Sequence, residues 1–198
     1  MIYLDADERQ LEFKPVKLDF HGHDLTDVFA AKNNKTVSET LAAPRYNHLA
    51  YEVRIRYPQF WNEALGTFLF TLKSAGDEFY KRFLNPYGDE RYCWFSIAEC
   101  LKEKGLYCYV MAETILYIGR CRDSFGKRIN QGYGRIDPKN CYLDGQSTNC
   151  HLNTLINQNW EAIALSVCPL ERNVEIEKLE QYLIALRQPE WNIQLRRK

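Results

Sequence analysis

Near-alternation of apolar and polar positions opens the chain, with Ile2, Leu4, Leu11, Phe13, Val16, Leu18 and Phe20 interleaved with charge. A period of two predicts one or two strands there. Asp24 then reads as the cap of a short helix over 25–31, with Asn33-Asn34-Lys35 as its exit. Alternation returns over 49–56, where Tyr51, Val53 and Ile55 share one side, and predicts a strand with one wet face. Between 59 and 84 the period lengthens: Phe60, Ala64, Phe68 and Leu72 recur every four residues, which predicts helices broken near Ser74-Ala75-Gly76. That aromatic stripe reads as a buried core face rather than a base-stacking surface.

Asn85-Pro86-Tyr87-Gly88-Asp89 is a turn signal and marks the expected module boundary. Ser96 with Glu99 has the spacing of a capping box and predicts a helix through Lys104. Next, Gly105-Leu106-Tyr107-Cys108-Tyr109-Val110 and Leu116-Tyr117-Ile118-Gly119 are short strand patterns around a turn at Ala112-Glu113-Thr114, hence a hairpin. A helix is expected over 125–131, a long loop over 134–147, and a helix capped by Ser147-Thr148-Asn149 that carries Leu152, Leu155 and Ile156. Residues 160–167 read as a third strand. The last helix is predicted over 173–187, capped by Asn173, with Ile176, Leu179, Leu183 and Leu186 as its apolar stripe. At 100° per residue Glu180 falls on the shoulder of that stripe, as a structural acid paired for instance with Arg187 or as a metal ligand.

Composition narrows the class without naming a chemistry. With 198 residues and 45% hydrophobic content the chain can bury one good core or two small ones. It contains no apolar run of spanning length and no basic, then apolar, leader, so a cytoplasmic protein with no membrane contact is expected. Seven cysteines without a C-x-x-C pair imply reduced thiols, not a disulfide framework or zinc ribbon. Cys141, Cys150 and His151 match no common zinc spacing, and His21-Gly22-His23-Asp24 lacks a second ligand pair. The net charge is zero, yet residues 117–140 carry six cations (Arg120, Arg122, Lys127, Arg128, Arg135, Lys139) against Asp123 and Asp137. Such a cluster suits phosphate contact or a solvated helix face equally.

Taken with Arg128, Glu180 and Asn192, the paired G-L-Y and Y-I-G strands resemble the GIY-YIG nuclease family over residues 104–196, about half the chain. The resemblance implies an α+β fold: a small three-stranded antiparallel sheet flanked by helices in a catalytic region over 96–198. The resemblance says nothing of residues 1–95, which are expected to form an N-terminal α+β region for target recognition or dimer contacts. It also implies a divalent-metal-dependent endonuclease on double-stranded DNA, expected to be a compact, stand-alone enzyme of restriction type, with a homodimer to cut both strands. Glu180 would hold one Mg²⁺ or Mn²⁺ per site. Tyr107 would be the general base. Because an isolated phenol titrates near ~10, a cation must help; Arg120, where many relatives carry Lys, would ease the phenolate. Tyr117 would orient water or contact phosphate, Arg128 would hold the scissile phosphate, and Asn192 would brace the site.

Two departures from the family pattern stand out. Gly119 to Arg128 is one residue longer than expected, which leaves Arg122 or Lys127 as alternatives to the preferred Arg128. An aromatic residue or histidine usually follows that arginine by four, but here Gly132 holds that place and Tyr133 comes one later, with His151 as a substitute. In the N-terminal region, Arg54 and Arg56 on the expected strand would read bases if they face the duplex, solvated arginines on a wet sheet face being the commoner case. The competing function is a nucleic-acid-binding or assembly protein that keeps the fold but does not cut.

Overall fold

The opening alternation forms β1 (Ile2–Ala6), β2 (Arg9–Val16) and β3 (Asp19–Leu25) in the computed structural model, which describes residues 1–6 and 9–193. The last five residues of the region expected over 96–198 therefore lie outside the described residues. In β1 and β2 the inward positions Leu4, Ala6, Leu11, Phe13 and Val16 are buried while their neighbours along the chain stay wet. The helix expected over 25–31 shrinks to a single 3₁₀ turn, Val28–Ala31. Asp24 lies within β3 at φ 53° and caps nothing.

Three short helices follow. In α1 (Val37–Leu41), Thr36 and Glu39 form a reciprocal capping box. The strand expected over 49–56 is instead α2 (Ala50–Arg56). Seven residues of mixed pattern fit either period; only Val53 among its apolar positions is buried, while Tyr51 and Ile55, one turn apart, face solvent. Arg54 and Arg56 thus share no strand face: Arg54 lies over the Trp61 ring, and Arg56 pairs with Glu52 and Asp77. The stripe that begins at Phe60 is core as expected, with Phe68, Leu69 and Leu72 of α3 (Leu65–Ser74) buried. It breaks at Gly76 before a 3₁₀ turn, Glu78–Phe83.

Ser96 ends a strand, β4 (Tyr92–Ser96), and begins no helix. Its hydroxyl meets His21 Nε2 at 2.7 Å. The hairpin is present as β5 (Gly105–Met111) and β6 (Thr114–Cys121). After it come α4 (Phe125–Arg128), a π-helical turn over Ile129–Tyr133, α5 (Ser147–Gln158), β7 (Ala164–Pro169) and α6 (Asn173–Arg187). Arg172, not Asn173, occupies the cap position of α6, and Asn173 Oδ1 accepts from Lys104 Nζ.

The fold is α+β, but its main sheet has five strands, in the order β1-β2-β7-β5-β6 and antiparallel throughout. The expected three-stranded sheet is its β7-β5-β6 part. Lys14–Val16 pair with Leu165–Val167 and so add β2 and β1 to that sheet. β3 and β4 make a separate two-stranded sheet. Accordingly the compact units do not divide at residue 95: one comprises Met1–His23, Cys93–Arg135 and Leu155–Lys198, the other Asp24–Tyr92 and Ile136–Thr154.

In the first unit, α6 covers one face of the main sheet. Ile176, Leu179, Leu183 and Ile184 pack there with Leu106, Cys108, Ile118 and Phe13. Leu186, expected in the stripe, is exposed, and Ile184 takes its place. The second unit is an aromatic core of Phe29, Tyr46, Phe68, Phe83 and Tyr142, in which Tyr142 donates to the Phe29 carbonyl at 2.9 Å. Lys73 bridges Asp27 and Asp89 there at 2.7 and 2.6 Å. All seven cysteines are free thiols, and among the described residues no helix is long and apolar enough to cross a membrane.

The β5–β6 turn carries two non-glycine residues in left-handed conformation, Ala112 at φ 45° and Glu113 at φ 68°. A two-residue turn of this kind favours Asn-Gly. Ala112→Asn with Glu113→Gly is expected to raise stability by about 1 kcal/mol, read as a higher urea midpoint at unchanged slope.

Candidate active site

The face of β5 and β6 opposite α6 is tyrosine. Alternation along β5 turns Leu106, Cys108 and Val110 into the core and leaves Tyr107 and Tyr109 on the other side, both fully buried. Tyr107 pairs across the hairpin with Gly119, and Tyr109 with Tyr117. The Tyr107 ring lies 5.9 Å from Tyr117 and 6.2 Å from Tyr133, centroid to centroid, and the Tyr109 hydroxyl donates to that of Tyr133 at 3.1 Å. Tyr109 is a member of this cluster that the sequence reading left out. Its position two residues after Tyr107 on one strand was the available signal.

This packing explains the glycine of Y-I-G. A Cβ at Gly119 would stand 2.5 Å from Tyr107 Cζ and 2.6 Å from its hydroxyl oxygen, because the phenol lies flat across the bare backbone. Gly119→Ala is therefore expected to cost about 1–3 kcal/mol of stability, the usual range for overpacking, visible as a lower melting temperature.

Arg128 comes from the end of α4, which Ser124 caps by accepting from the Lys127 amide at 3.2 Å. Its Nε donates to the Tyr107 hydroxyl at 3.3 Å, and its guanidinium lies 5.3 Å over the Tyr133 ring. The helix passes directly into the π turn, in which the Gly134 amide bonds the Ile129 carbonyl five residues back at 2.7 Å. One extra residue per turn lets Tyr133, five after Arg128, occupy the place that an α-helix would give to position four. The displaced aromatic of the sequence pattern is thus restored by backbone geometry. His151 lies in α5 with its ring 4.5 Å from Tyr87, in the other unit.

Glu180 arrives from α6. Its Oε2 accepts from Arg120 at 2.7 Å, and Arg120 also reaches Glu177 at 3.3 Å. Only 13% of the Glu180 side chain is exposed, and burial pushes its carboxyl above the usual carboxylate range although Arg120 and, more weakly, Arg128 oppose this. Its partner is thus Arg120 on β6, not the Arg187 considered from sequence. Arg128 is held more firmly protonated than usual by the neighbouring Tyr107, and burial raises the phenols of Tyr109, Tyr117 and Tyr133 well above their ordinary value.

Among the expected roles, the cation at Tyr107 is Arg128, whereas Arg120 is tied to carboxylates. Arg122 pairs with Glu177 at 2.6 Å and Lys127 with Asp123 at 2.9 Å. Of the six cations in the cluster seen in the sequence, Arg120 and Arg122 are thus paired with acids of α6 and Lys127 with Asp123. Asn192 clamps the outer edge of β6: its Oδ1 accepts from the Ile118 amide at 2.9 Å and its Nδ2 donates to the Ile118 carbonyl at 2.8 Å. It acts on the backbone beside Tyr117, as a brace.

No group of three His, Cys, Asp or Glu able to enclose a cation occurs among the described residues. Glu180, with Glu177 one turn away, could offer hard oxygen ligands to a divalent cation completed from outside the protein, but not a closed protein cage, and both carboxylates are paired with arginines. No protein family, curated protein or solved structure matches the chain.

Proposed function

We propose that the chain is a divalent-metal-dependent DNA endonuclease of the GIY-YIG kind, with its active site at the tyrosine cluster. One observation carries this reading: Tyr107, Arg128 and Glu180, from three separate segments, come within hydrogen-bonding or electrostatic reach at one place. Tyr107 takes the proton of the attacking water, with the Arg128 guanidinium against its hydroxyl oxygen. Arg128 meets the scissile phosphate with its fork of donors and stabilises the charge that builds on it. Tyr117, kept protonated by burial, orients water or a phosphate oxygen by hydrogen bonding. Glu180, with Glu177, would hold Mg²⁺ or Mn²⁺, which supplies Lewis-acid stabilisation of the phosphate and leaving oxygen when bound.

Tyr107 is fully buried with Arg128 against it. On this reading a phosphate that draws Arg128 outward also uncovers the phenol. The same burial, and the ion pair that already occupies Glu180, favour a second reading: a nucleic-acid-binding protein that does not cut. A plasmid-nicking assay with Mg²⁺ and with EDTA separates the two. Metal-dependent nicking supports the nuclease; intact plasmid at every metal concentration, with binding retained, leaves the second.

A further inference from the structure

Away from the tyrosine cluster, the first unit turns two tryptophans outward. Trp94 is 39% exposed and Trp160 37%, although their flanking strands bury most of their other apolar groups. On β4, Cys93 and Phe95 point inward and Trp94 takes the opposite side. His21 and His23, two apart on β3, each meet one of these rings: His21 lies 4.9 Å from Trp94, and His23 stacks on Trp160 at 4.9 Å and 7°. The Arg135 guanidinium lies 4.7 Å over Trp94. Phe20 meets the Trp160 edge at 6.0 Å, and both border a groove of about 360 Å³ that Val16, Lys17 and Ile163 also line. Glu161 stands on its rim, and Lys17 is paired with Asp19 at 2.6 Å.

The chemistry is that of a surface for nucleotides: indole faces, imidazoles and a guanidinium suit base stacking and phosphate together. The two tryptophan-bearing segments are also linked to the tyrosine cluster through the core, by way of the buried Phe95. The Phe95 amide donates to the Gly134 carbonyl at 2.8 Å, and the Phe95 ring lies 6.1 Å from Tyr133. The π turn that places Tyr133 therefore delivers Arg135 to Trp94 two residues later.

We infer that Trp94, Trp160, His21, His23 and Arg135 form a stacking surface for unpaired bases, so that the protein engages nucleic acid with a single-stranded segment beside the phosphate at Arg128. The placement of that phosphate rests on the nuclease reading; the stacking surface does not.

The test is fluorescence anisotropy in EDTA with two labelled probes, an oligothymidylate and a blunt duplex of equal length. Trp94→Ala with Trp160→Ala is expected to weaken oligothymidylate binding by about tenfold or more, while duplex binding stays within about threefold and thermal melts show a folded protein. Trp94→Tyr, which retains a stacking face, should keep most of the affinity. If the double variant does not fold, Trp94→Ala alone and the exposed Arg135→Glu carry the same comparison. Wild-type protein that ignores oligothymidylate, or variants that bind it as wild type does, would overturn the inference. So would a wild-type dimer that the double variant dissolves with oligonucleotide binding intact, which would assign the surface to a second copy of the chain. Absence of nicking together with tryptophan-dependent binding overturns the nuclease alone. Nicking with tryptophan-independent binding overturns only the stacking surface.

Discussion

Under the nuclease proposal, Glu180→Gln is expected to lower single-turnover cleavage in Mg²⁺ by about a hundredfold or more, the scale of losing a charge that would anchor the cation, while the protein stays folded and binds DNA in Ca²⁺. The substitution keeps the shape of the side chain and a carbonyl oxygen that can still accept from Arg120, and Arg120 retains Glu177. Stability should not fall at neutral pH. Because burial raises the carboxyl of Glu180, the folded state binds its proton more tightly than the unfolded chain does. Stability from this group is therefore greatest below the ordinary carboxylate pKa and declines as pH rises through the raised folded value. The variant should accordingly melt at the same or a higher temperature than wild type near neutrality, and the gap should close in acid. A folded variant that cuts within about threefold of wild type, roughly 0.6 kcal/mol in barrier, would sink the metal-site assignment.

Tyr107→Phe should remove cleavage by another route. The change deletes one hydroxyl and leaves the ring contacts to Tyr109, Tyr117 and Tyr133 in place. It costs the bond from Arg128, about 1 kcal/mol of stability, and, under the nuclease proposal, the proton acceptor, about 10²–10⁴-fold in rate. The pH profile distinguishes the base from a structural phenol. If the phenol takes the proton, the wild-type rate should show a pH dependence that the residual rate of the variant lacks. Equal slopes in the two profiles would show that the phenol takes no proton, even if the rate has dropped.

Much of the site was legible because it rests on local patterns. The hairpin, α5, β7 and α6 each declare themselves within a dozen residues, and Glu180 could be placed on the shoulder of α6 from periodicity alone. Other features were not local. The capping-box spacing of Ser96 and Glu99 competes with β4 pairing to β3, and the sheet wins. The late Tyr133 looked like a departure until the π turn brought it under Arg128.

By itself, then, the sequence determined that the hairpin and β7 are strands and that α5 and α6 are helices, and which side of β5 is apolar. Periodicity and side-chain chemistry are carried by neighbours along the chain, so they survive without knowledge of the fold. Tertiary structure alone decided that residues 50–56 are helical, that β1 and β2 extend the main sheet, that Arg128 rather than Arg120 meets Tyr107, and that acids of α6 pair with Arg120 and Arg122 of the basic cluster. Each of these depends on which distant segment supplies the hydrogen-bond partner, the buried face or the opposite charge. Where a short pattern fits two periods, or a charge has several partners in reach, packing chooses between them.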